Sequence, residues 1–132
     1  MKAGSKLLLT TAVVISGLLL SGCVQPTSDG PHISSVERFN LNATSERSLK
    51  EAVSNSLKDP DSARFGNYTA FHTIADGQQV DVVCGYVNGR NSFGGYTGMT
   101  PYIALGLDGI FVSVTISEYA MRVCQQQYGV SI

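Results

Sequence analysis

Residues 74–87 read Ile74-Ala75-Asp76-Gly77-Gln78-Gln79-Val80-Asp81-Val82-Val83-Cys84-Gly85-Tyr86-Val87, and this stretch decides the fold. Asp-Gly between runs of β-branched and aromatic residues marks a two-residue hairpin turn. Both turn positions require positive φ, which Asp tolerates and Gly adopts freely. The turn predicts a strand over 63–74, with Phe65, Tyr68 and Phe71, returning as a second strand over 79–87. In the second strand Val80, Val82, Cys84 and Tyr86 share one face, and Val83 and Val87 lie on the other. The same signal recurs at Asp108-Gly109, which joins a strand over 100–107 to one over 110–116.

Helical spacing brackets these strands. Leu49, Ala52, Val53 and Leu57 fall on one face, with Thr44 or Ser45 as cap and Glu46 in the first turn. Asp59-Pro60 ends that helix, because proline pushes the preceding residue out of the α region. At the other end Ser117 can cap a helix with Glu118 in its first turn. Its apolar side carries Tyr119, Ala120, Val123, Cys124 and Tyr128, and Gly129 is its stop. The expected class is α+β: a small four-stranded antiparallel sheet in two hairpins, flanked by an N-terminal and a C-terminal helix lying on one face. This domain spans 44–132. Residues 23–43, which include Pro26-Thr27-Ser28-Asp29-Gly30-Pro31, show little apolar periodicity and read as a flexible tether. Phe39 and Leu41 are the first of them able to dock on the domain.

The N-terminus has the anatomy of an export signal. Lys2 and Lys6 precede the apolar and small run from Leu7 to Leu20, too short to span a bilayer as a helix. Leu20-Ser21-Gly22-Cys23 resembles the lipobox of bacterial lipoproteins at every position. The resemblance implies that residues 1–22 are a lipoprotein signal peptide. Cys23 then receives diacylglycerol through a thioether, and small Ser21 and Gly22 admit the peptidase to the bond before it. The freed amine is usually acylated too, as with palmitate. Each buried methylene contributes about 0.8 kcal/mol, so two or three chains anchor a protein almost permanently. Val24, where inner-membrane lipoproteins of enteric-type bacteria carry Asp, implies the outer membrane in a Gram-negative host, and the periplasmic face is the side expected.

Cleavage would remove Lys2 and Lys6, leaving seven basic against ten acidic residues, a formal charge of −3. That mildly acidic balance, without a basic run, argues against nucleic acid as a partner. With Cys23 lipidated, Cys84 and Cys124 remain as an even pair in an oxidising compartment. They are expected to form a disulfide, since Cys124 lies on the apolar face of the last helix and can reach the sheet.

The most unusual stretch follows the second strand: Asn88-Gly89-Arg90-Asn91-Ser92-Phe93-Gly94-Gly95-Tyr96-Thr97-Gly98. Its four glycines permit tight turns. Asn88, Arg90, Asn91, Phe93 and Tyr96 form a candidate binding loop, because long loops in compact domains are enriched in function. The plainer reading is a connection whose aromatics cover the core. From Cys84 the segment follows the pattern C-G-x-V-N-x-x-N-x-x-G-G-Y-x-G, and Leu57–Phe65 follows L-x-D-P-x-S-A-x-F. Over residues 49–103 the chain thus resembles an uncharacterised family of small exported proteins of proteobacteria and their prophages. That resemblance implies export and a single domain, and brings no activity.

Enzyme signatures are sparse. G-x-S-x-G and the P-loop run are absent, and His32 and His72 are the only histidines. Asp59, Asp61, Asp76 and Asp108 fall in predicted turns, where Asp is locally favoured. No catalytic residue, metal ligand or cofactor is therefore assigned. The expected role is a non-enzymatic binding or accessory lipoprotein of the envelope, held to the membrane by its lipid. Its partner would be another envelope protein or the cell wall. The alternatives are an inhibitor that inserts the 88–98 loop into a cell-wall hydrolase, and, from another class, a small periplasmic hydrolase using His72 with a nearby Ser or Asp.

Overall fold

The computed structural model describes residues 33–132; the signal segment, Cys23 and the first part of the tether lie outside the described residues. The order is β1 (Ile33–Phe39), α1 (Ala43–Asn55), a 3-10 turn (Pro60–Ser62), β2 (Arg64–Ala75), β3 (Gln78–Asn88), β4 (Thr100–Leu107), β5 (Ile110–Ile116) and α2 (Glu118–Tyr128). The five strands form one antiparallel sheet in sequence order. Both Asp-Gly turns have two positive-φ residues: 51° and 81° at Asp76 and Gly77, 51° and 76° at Asp108 and Gly109.

The sheet has five strands where the sequence predicts four. The additional strand, β1, lies in the stretch read as tether and pairs with β2 along that strand's outer edge. Ile33 and Val36 fall on one face because a bulge shifts the register between them, whereas Phe39, three regular steps beyond Val36, faces the other side with Ala70. A bulge absorbs the extra residue and breaks the alternation by which strands are recognised.

Helix placement also departs from expectation. α1 and α2 cover opposite faces rather than one. Leu49 and Val53 of α1 pack with Ala70, Val83, Val87, Tyr102, Ala104 and Phe111. Ala120 and Cys124 of α2 pack with Phe71, Val82, Cys84 and Ile103 on the other side. The physical reason lies in β3, which is apolar on both faces, so each face needs its own layer. α1 is capped by Asn42, whose side-chain oxygen accepts the N–H groups of Thr44 and Ser45 at 3.0 and 2.9 Å. The cap is thus Asn42, ahead of the Thr44 or Ser45 expected. Gly129 closes α2 in the left-handed region at φ 63°, and Cys84 and Cys124 are joined by a disulfide, with Cα atoms 6.2 Å apart. Among the described residues no helix is long and apolar enough to cross a membrane.

One core residue yields a prediction. Tyr102 is fully buried, and its hydroxyl has no hydrogen-bond partner among the described residues. Burial pushes its ionisation well above the ordinary tyrosine range. The ring occupies space that Gly85 leaves open: a Cβ there would lie 2.8 Å from the hydroxyl and 2.7 Å from the Tyr68 Cβ. Tyr102→Phe should therefore raise stability by about 1 kcal/mol, since a buried, unpaired hydroxyl is a net penalty. A thermal melt checks this, and a fall in Tm would show that the hydroxyl has a partner.

Candidate functional site

The loop after β3 is built from its two ends inward. The Asn88 side chain accepts the Gly98 N–H at 3.2 Å, closing the neck. Arg90 and Tyr96 then form a single antiparallel bridge. Asn91 makes the tip turn. Its Oδ1 accepts the N–H groups of Phe93 and Gly95 at 3.0 and 3.1 Å, and its own N–H donates to Gly95 O at 2.8 Å. Gly94 sits at φ 81°, which this reversal requires.

The loop is also fastened sideways to the Pro60–Ser62 turn. Arg90 Nε and Nη2 both approach Asp59 Oδ2 at 2.8 Å. The Arg90 N–H donates to Ser62 Oγ at 2.8 Å, while that hydroxyl donates to Asp59 O at 2.7 Å. Tyr96 donates its hydroxyl hydrogen to Ser62 O at 3.0 Å, and the Arg64 guanidinium lies 4.0 Å above the Tyr96 ring. Gly89 lets the loop lie close against Leu57, since a Cβ there would be 3.0 Å from Leu57 Cδ1. A cavity of about 290 Å³ remains at the base, lined by Leu57, Lys58, Val87, Arg90, Asn91 and Thr97 among others. Residues 57–65 and 84–98 are thus the two segments that meet here.

Of the five candidate loop residues, four are engaged within the chain. Asn88, Asn91 and Arg90 hold the backbone or the neighbouring turn, and Tyr96 packs and bonds across it. Phe93 is the exception, projecting from the tip with 97 % of its surface exposed. Asp59 and Ser62 are the supports that sequence reading does not assign to the loop. Their partners are about thirty residues distant along the chain, beyond any local pattern.

His72 lies elsewhere, on the α1 side of the sheet at the turn end. Its Nδ1–H donates to Asp81 Oδ1 at 2.7 Å, and its ring stacks on Phe39 with centroids 3.8 Å apart. Asp81 is 3 % exposed, and its second oxygen accepts the Gly109 N–H at 2.6 Å. The pair borders a cavity of about 230 Å³ that Ser45, Gln79 and Asp108 also line. An imidazole oriented by a buried carboxylate has the form of a general base. Among the described residues Ser45 packs against Gly109, and His72 hydrogen-bonds no serine hydroxyl. The arrangement instead ties β2, β3 and the β4–β5 turn together. Among the described residues no group of His, Cys, Asp and Glu is placed to hold a metal ion.

A cavity of about 440 Å³ between the β1–α1 connection and β2, lined by Arg38, Leu41, Tyr68 and Thr69 among others, contains none of the loop residues or His72. No family model, curated protein or solved structure matches the chain.

Proposed function

We propose that this chain is a lipid-anchored binding protein of the bacterial envelope that recognises a partner through the 88–98 loop. The observation that carries the reading is Phe93, almost fully exposed at the tip of a loop whose other candidate residues are tied inward. A large apolar side chain pays no desolvation to leave water, and fixing its support beforehand removes the ordering cost of binding. The partner is an envelope protein or cell-wall component that offers an apolar pocket. In a narrower form of the reading, that pocket is the cleft of a cell-wall hydrolase and the protein is its inhibitor.

Direction along the sheet supports the same assignment. Ile33 pairs with Ala75 beside the Asp76-Gly77 turn, whereas Arg64, at the other end of β2, pairs with Asn88 at the loop neck. Eleven residue steps of strand separate the two ends by about 36 Å. A chain anchored before Ile33 therefore carries its loop at the end remote from the anchor.

The test is a pull-down from detergent-solubilised envelope with the wild type and Phe93→Ala. Truncating a central aromatic anchor costs about 2 kcal/mol or more, at least a tenfold loss of affinity. Thermal stability should stay within about 0.5 kcal/mol, as for other exposed positions. Equal recovery of one partner by both proteins would remove the loop from the interface. The anchor has its own check: Cys23→Ala should abolish incorporation of an alkyne fatty acid, and wild-type labelling of that variant would overturn the lipoprotein assignment.

A further inference from the structure

The α2 side of the sheet is covered unevenly. α2 starts at the loop end, where the Ser117 N–H donates to Pro101 O at 3.0 Å. It finishes over β2, with the Tyr128 and Phe71 ring centroids 5.0 Å apart. The tip of the β4–β5 hairpin thus extends past the helix. Leu105 packs into the α2-side core, Leu107 stands two residues further along β4, and Ile110 is the cross-strand partner of Leu107. Leu107, Ile110 and Val112 are 44 %, 53 % and 80 % exposed.

Two observations bear on what covers this tip. First, Ile33 pairs with Ala75, so the chain preceding it leaves from the same end of the sheet as the Asp108-Gly109 turn. Cys23 stands ten residues before Ile33, a reach of at most about 35 Å. The sheet is only about 19 Å across from β1 to β5. Second, β5 is a poor edge for another copy. The Phe111 N–H is taken by Ser48 of α1 at 3.0 Å, and a bulge interrupts the strand opposite Leu105 and Gly106.

We propose that the hairpin tip formed by Leu107, Ile110 and Val112 docks on the bilayer surface that holds the N-terminal lipid; this rests on the lipid-anchor reading above. Aliphatic side chains at the head-group boundary gain burial there, and tethering keeps them within reach. Charge selects the lipid. β4 and β5 contain no Lys or Arg, and Asp76 and Asp108 occupy the two turns at this end. The face therefore fits zwitterionic rather than anionic head groups. Docking there turns the Phe93 loop away from the membrane.

The test uses the mature, lipidated protein. With Cys84 and Cys124 bonded and Cys23 alkylated, a cysteine introduced as Ile110→Cys or Phe93→Cys is the only free thiol. Each is labelled with an environment-sensitive fluorophore and reconstituted into phosphatidylcholine liposomes with or without nitroxide-labelled lipid. The expected result is a blue shift and several-fold stronger quenching for the Ile110→Cys probe, without deepening when phosphatidylglycerol is added. Equal quenching of both probes in protein that floats with the liposomes overturns the docking and leaves the anchor standing. A concentration-dependent blue shift in detergent alone overturns it in favour of a second copy. Protein that does not float at all overturns the anchor, and the docking with it.

Discussion

Replacing both Cys84 and Cys124 with alanine should lower the stability of the folded chain by about 4 kcal/mol, the chain-entropy value for a loop of this length. The bond spans 40 residues and joins β3, at the centre of the sheet, to the second turn of α2. Small domains hold only about 5–15 kcal/mol in total, so the loss removes a large fraction. It corresponds to a fall in Tm of about 20 °C for a domain of this size. Both half-cystines are fully buried in the α2-side core, which adds a packing loss to the entropic one. α2 should be affected first, because its apolar contacts reach one face of one sheet and little else. Thermal melts of the double variant, and of the wild type with and without reductant, read the effect. A change below about 1 kcal/mol would show that α2 is held by packing alone.

That pairing could be read from the sequence because it follows from parity and count. The Asp-Gly turns fix the register of both hairpins, and register fixes which side of the sheet each residue faces. Cys84 thereby shares a face with Val82, and Cys124 shares one with Ala120. The same arithmetic places His72 opposite Asp81, five residues either side of the centre of the Asp76-Gly77 turn. That signal was available in the sequence and identifies the partner of the histidine. β1 was not legible, since its bulge spoils the alternation. The split of the helices between two faces was half legible: β3 is apolar on both sides, which requires two covering layers. The loop was legible as a long connection between two strands, but what its side chains hold was not. Whether Arg90 and Tyr96 point outward or inward depends on Asp59 and Ser62, and nothing local connects those positions. Glycine spacing shows that a loop can turn tightly without showing what it turns against.

Asp81→Ala should cost about 3 kcal/mol, the second largest effect expected. Its carboxylate is buried and has two donors, the His72 ring and the Gly109 N–H. Alanine leaves the Gly109 amide buried without an acceptor and His72 without its orienting group. Removing one member of a buried network typically costs several kcal/mol. The loss should fall on the joint between β2, β3 and the β4–β5 turn, so amide exchange should accelerate around Asp108 and Gly109. Asp81→Asn separates charge from shape. Its carbonyl oxygen can still accept from Gly109, but its amide then presents hydrogens to His72. The ring must respond by accepting at Nδ1 and carrying its proton on Nε2, because one nitrogen cannot face a donor while donating. Stability should fall by only about 1 kcal/mol, the value of an ordinary hydrogen bond exchanged for a charge-assisted one. Nitrogen-15 NMR of the ring distinguishes the two tautomers directly. Retention of the Nδ1 proton in Asp81→Asn would mean that the amide is turned the other way and Gly109 has lost its acceptor. The joint would then rest on His72 rather than on the β4–β5 turn.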